Sequence, residues 1–121
     1  MSKNLRVPDY LEDILRAITR IGRYTSDMDE LVFLSNELVQ DAVIRNIEII
    51  GEASKNIMRV DAVFAAEHVE IPWETMYAMR NRVSHGYEQI DFELVWKTVQ
   101  NDLPTLRAKI KVVLAGFPPT E

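Results

Sequence analysis

Apolar residues in this chain recur at three- and four-residue steps, and no segment sustains an alternation of every second residue. That narrows the fold sharply. A helix turns about 100° per residue and gathers such steps on one face, whereas a half-buried strand needs the two-residue period. Leu11, Ile14, Leu15, Ile18 and Ile21 form the first stripe and predict an amphipathic helix from about Asp9 to Tyr24, with Pro8 near its start. After a turn around Thr25 to Asp29, Leu31 to about Met58 carries a second stripe of Leu38, Ala42, Val43, Ile49, Ile50, Ala53 and Ile57. A break is expected near Ser35 and Asn36. Val60 to Glu70 reads as irregular and polar. Pro72 then stands where a first-turn proline opens a helix through Trp73, Met76, Met79 and Val83. Asp91 is the expected N-cap of a last helix bearing Phe92, Val95, Trp96, Val99, Leu103, Leu106, Ile110 and Val113, which Pro104 should kink.

The class predicted is all-α, an antiparallel bundle of four to five helices with Trp73 and Trp96 in its core or at an interface. A length of 121 residues, 47% of them apolar, suits one hydrophobic core, so residues 1–121 are read as a single domain. There is no internal repeat and no Gly/Ser linker to divide it. The absence of cysteine excludes disulfides, zinc-cysteine sites and thiol catalysis, and fits a reducing compartment. No apolar run approaches the roughly 20 residues of a membrane span, and no signal-peptide pattern opens the chain, so a cytoplasmic protein is expected. A net charge of −5 argues against coating nucleic acid by bulk electrostatics but leaves a local basic site open.

Chemistry concentrates in the run Arg80-Asn81-Arg82-Val83-Ser84-His85-Gly86-Tyr87. Arg80 falls near the stripe of Met76, Met79 and Val83, so its guanidinium needs a partner: Glu48 or Glu52, or the phosphate of a ligand. Gly86 allows the helix to close after His85, where the dipole favours the imidazolium and suits acid-base work or simply binds the last carbonyls. Five residues separate Arg80 from His85, about 140° around a helix, so either something bends or a second chain completes the site. Asn81 can orient Arg80, bind a phosphate oxygen, or lie on a solvated face. Asn46 interrupts the apolar stripe of the long helix, as an internal hydrogen-bonding device or as part of the Arg80 cleft. Gly51 in mid-helix implies a close helix crossing or contact with another chain. His68 has no matching partner and is given no function. Two distant histidines without cysteine make a metal site a poor expectation.

The segment Trp73 to Tyr87, with Arg80, His85 and Tyr87 in an Arg-x-x-x-x-His-x-Tyr pattern, resembles the HepT-like toxins of the HEPN ribonuclease superfamily. Asn81 and Gly86 extend the match. So do Asn46 to Ala53, which is similar to that family's second-helix signature, and the segments Ile90-Asp91, Val95-Trp96 and Asp102-Leu103-Pro104. The likeness runs from about Tyr10 to Leu114. It implies an HEPN-like bundle and a metal-independent endoribonuclease without cofactor, working as a homodimer in which both chains' motifs meet at one cleft. His85 would be the general base or acid at the RNA, Arg80 would stabilise the phosphorane, and Asn81 would support them. It also implies an antitoxin partner, a nucleotidyltransferase of the MntA type that transfers AMP to Tyr87. The alternatives are a catalytically silent HEPN module that binds a nucleotidyltransferase or a nucleotide, and a helical dimerisation domain whose Arg80 and His85 are purely structural.

Overall fold

The computed structural model describes residues 6–85 and 90–118, which form helices joined by short turns, with no strand among them. Helix α1 spans Arg6–Thr25 and turns its stripe inward, burying Leu11, Ile14, Ile18 and Ile21. A short helix α2 (Glu30–Leu34) precedes the long α3 (Glu37–Val60). The break falls at Ser35 and Asn36, as expected, because Asn36 leaves helical geometry and its side chain accepts the Val39 N–H at 3.0 Å. Asp29 caps α2 likewise, accepting from the Val32 N–H at 2.9 Å. Each such cap satisfies a first-turn amide and is worth about 1 kcal/mol.

Leu38 does not share the inward stripe of α3; it is 80% exposed. Five residues separate it from the fully buried Val43, which turns it about 140° away from the core face. The stretch expected to be irregular contains a helix, α4 (Ala62–Glu67), capped by Asp61 accepting from the Phe64 N–H at 3.0 Å. Six residues are too few to display a periodic stripe. Trp73 fastens the end of α4 to the next helix: its indole N–H lies 3.2 Å from the Ala65 carbonyl and 3.1 Å from that of His68.

Helix α5 runs Trp73–His85. Pro72 lies just outside it instead of in its first turn, with its carbonyl accepting the Met76 N–H at 3.0 Å. Asp91 caps α6 (Phe92–Lys97), as the sequence predicts, and accepts from the Leu94 N–H at 3.1 Å. A π turn over Thr98–Asp102 then leads directly into α7 (Leu103–Ala115). The disturbance expected at Pro104 is absorbed in that turn. Proline lacks an N–H and its ring crowds the carbonyl four residues earlier, here Gln100, which the wider turn accommodates.

α3 packs against α1 along one face and α5 along another, while α7 lies on α1. Trp73 and Trp96 are both core residues, and Phe33 meets Trp96 with ring centres 5.2 Å apart. No helix among the described residues is long and apolar enough to cross a membrane.

The crossing of α3 and α5 is set by Gly51. A Cβ there would stand 2.2 Å from the Cβ of Arg80 and 2.9 Å from the Met76 carbonyl oxygen, so two backbones meet where no side chain fits. Gly51→Ala should therefore destabilise the protein by about 1–3 kcal/mol, although alanine is the better helix former. Urea unfolding measures this, and an unchanged or higher midpoint would mean that the crossing tolerates a methyl group.

Candidate functional site

The close crossing lays the stem of Arg80 on the bare backbone of α3 at Gly51. Its guanidinium leaves along the polar edge of α5. There Nη1 donates to Asn81 Oδ1 at 2.9 Å and Nη2 to Glu52 Oε2 at 3.4 Å. Nε is buried with no acceptor among the described residues. Such an orphan donor costs about 1–3 kcal/mol, and the donors left to meet a ligand are the second N–H groups of Nη1 and Nη2 on a side chain that is 25% exposed. Of the two carboxylates expected to partner Arg80, Glu52 does so; Glu48 instead accepts from Ser84 Oγ at 2.7 Å. Sequence reasoning passed over Ser84, whose signal was its place four residues after Arg80, on the same helix face. The Lys55 ammonium lies over the Tyr77 ring, 5.5 Å from its centre, and extends this edge.

Residue 85 is the last position described in α5, so the helix end expected at the His85-Gly86 pair lies outside the described residues. Because the helix is unbroken from Arg80 to His85, the two positions do lie about 140° apart around its axis. Gly86 and Tyr87 lie outside the described residues. Asn46 is not brought to Arg80. It is buried against α1, where its Nδ2 donates to the Ala42 carbonyl at 2.9 Å and its Oδ1 accepts from Arg20 Nη1 at 3.5 Å.

The other edge of α5 borders an apolar cleft of about 390 Å³ lined by Ile47, Ile50, Met76, Met79, Leu103 and Leu106. His68 does have a partner, since its Nδ1 lies 3.1 Å from Glu70 Oε2. Glu70's own backbone N–H, and then His68, hold that carboxyl below the usual carboxylate range.

A scan against family models matches residues 14–113 to the family described as ribonuclease HepT-like. Among curated proteins, the chain is 46% identical over 103 residues to one from Thermococcus cleftensis named "Probable ribonuclease HepT", covering 85% of this chain and 91% of the relative. It is 36% identical over 107 residues to "Putative RNase MJ1380" of Methanocaldococcus jannaschii, covering 88% of this chain and 95% of that relative. No solved structure matches.

The Arg80–Glu52 pair is open to water, with side chains 25% and 50% exposed, so its hold on the fold is weak. Glu52→Gln should change the unfolding free energy by less than about 1 kcal/mol. A loss of several kcal/mol in urea titrations would show that Arg80 is spent on a structural ion pair.

Proposed function

The chain belongs to the HepT-like ribonuclease family, and from that premise we propose that it is a metal-independent endoribonuclease whose site is completed by two chains. One observation carries the reading. The guanidinium of Arg80 is seated on Gly51 and directed by Asn81 and Glu52, yet its side chain stays 25% exposed and each Nη group keeps one N–H beyond those bonds for a phosphate. Positions 80 and 85 diverge on one helix, and a two-fold axis beside the polar edge of α5 lets Arg80 of one chain meet His85 of the other. Gly51 itself is filled by its own chain's α5, so the dimer contact assigned here runs along the edge of Tyr77, Asn81 and Ser84 and leaves the Gly51 crossing out.

In this mechanism neutral His85 takes the proton of a ribose 2′-hydroxyl, whose oxygen attacks the adjacent phosphorus. The bond from phosphorus to the 5′ oxygen breaks, and an imidazolium gives that oxygen a proton. The products are a 2′,3′-cyclic phosphate and a 5′-hydroxyl. Arg80 neutralises the charge that grows on the phosphorane, and Asn81 orients it. The nucleophile comes from the RNA itself, so the step requires no metal-bound water.

The protein acts as the toxin of a toxin-antitoxin pair. A nucleotidyltransferase of the MntA type silences it by transferring AMP to Tyr87, and the added phosphate competes with RNA for Arg80.

Cleavage of single-stranded RNA should persist in excess EDTA and fall at least about a hundredfold in Arg80→Ala and in His85→Ala, both still folded by circular dichroism. Metal-dependent cutting, or wild-type rates in either variant, would sink the mechanism. With the cognate nucleotidyltransferase and ATP, mass spectrometry should find AMP on Tyr87 and RNA cleavage should stop. Tyr87→Phe should go on cutting in that mixture; full ATP-dependent silencing of this variant contradicts the role given to Tyr87.

A further inference from the structure

Helices α1 and α7 border a groove of about 520 Å³ lined by Arg16, Arg20, Arg23, Arg107 and Lys111, none of which belongs to the α3–α5 crossing. Among the described residues no carboxylate lines it, although the chain as a whole carries a net charge of −5. Arg16, Arg20 and Arg23 follow the four- and three-residue steps of one face of α1, and Arg107 and Lys111 stand four apart on α7. Two basic ridges therefore face each other. Like charges at these spacings repel, so the arrangement opposes folding. Arg16 is relieved by Asp13 at 2.6 Å, but among the described residues Arg20, Arg23, Arg107 and Lys111 have no carboxylate within 4.0 Å.

Arg20 shows that the groove is built. Its Nη1 donates to Asn46 Oδ1 at 3.5 Å, and Asn46 is only 4% exposed and pinned by its own bond to the Ala42 carbonyl. A neutral amide anchors the arginine without cancelling its charge. A buried carboxylate in the same place would have stabilised Arg20 more strongly and spent it, so the amide suits an arginine that must meet an anion from outside.

The groove does not end at Arg107. A second cavity of about 440 Å³ shares Thr19 and Arg107 with it and continues over Gly22 toward the π turn. Gly22 sits in the last turn of α1, where glycine still weakens the helix, yet a Cβ added there would meet nothing within 4 Å. Gly51 is explained by a neighbouring helix of this chain; Gly22 is not.

We infer that the seam between α1 and α7 is a second binding site, which takes the phosphodiester backbone of RNA flanking the point of cleavage. Four of its five cations are arginines, whose planar forks match phosphate oxygens. The bare backbone at Gly22 leaves room for a sugar or base beside them. Since α1 and α5 pack on different faces of α3, the groove holds RNA away from Arg80 and contributes to affinity instead of chemistry. The inference rests on the ribonuclease reading only for the identity of the polyanion.

The test uses a fluorescent single-stranded RNA with 2′-O-methyl riboses, which cannot be cut, and the double variant Arg23→Gln/Arg107→Gln. Both side chains are exposed, so the fold should survive. Each phosphate contact on a single strand contributes about 0.7 to the slope of log affinity against log salt, or about fivefold in affinity at 0.1 M salt relative to 1 M. The double variant should bind about 25-fold more weakly at 0.1 M salt, with the slope reduced by about 1.4. In cleavage assays the loss should appear in KM. Gly22→Leu should also weaken binding while the thermal midpoint holds or rises, because it fills the groove and improves the helix. Unchanged affinity and slope in the double variant, no measurable wild-type binding, or a loss confined to an acidic protein partner would each overturn the inference. RNA that binds with the full slope yet is never cut in its unmodified form contradicts the ribonuclease reading alone and leaves the groove standing.

Discussion

Two helix backbones meet at Gly51 because nothing projects from it, and the placement of Arg80 follows from that contact. The arginine stem takes the space a side chain on α3 would occupy, which brings the guanidinium within reach of Glu52 and Asn81. A larger residue at position 51 would force the helices apart and loosen both. Stability and the placement of the guanidinium are thus coupled through one missing methyl group: a close-packed crossing fixes the charged group more rigidly than its own hydrogen bonds do, since its ion pair is solvent-exposed and weak.

The two helical glycines, Gly51 in the middle of α3 and Gly22 in the last turn of α1, make a contrast that the sequence does not disclose. Both sit in helical patterns and both weaken local propensity. One is compensated by packing within the chain, while the other borders open space beside a basic groove. The same division runs through the charges. An acidic chain gathers five of its cations, from two segments more than eighty residues apart, on one seam, so its net charge describes none of its surfaces well.

Local signals proved legible where the physics is local. Asp91 and the Ser35-Asn36 break were readable because capping needs only one side chain and the amides just after it. The helical class was readable from the apolar period, and the Arg80 to His85 run from its residue types. What needed three dimensions was not legible. Leu38 matched the stripe by type and missed it by phase, and α4 was too short to show a period. Asn46 was expected to fix helix register as an internal hydrogen-bonding device or to line the Arg80 cleft; it does the first, bonding within α3 and across to α1, but its partner there, Arg20, 26 residues away, was not legible. Of the candidate site, the Arg80 to Glu52 contact was anticipated, whereas the Glu48 to Ser84 bond was not, because both carboxylates lie on one edge and only the crossing decides which meets which.

The central claim is that Arg80 and His85 act together across two chains, and subunit mixing tests it most directly. Arg80→Ala and His85→Ala chains, each inactive alone, are unfolded together, refolded and assayed on RNA, with heterodimers verified by native mass spectrometry. The mixture should recover a clear fraction of wild-type cleavage, because a mixed pair contains one intact Arg80 facing one intact His85. Heterodimers that form and remain as inactive as either parent would contradict the shared site.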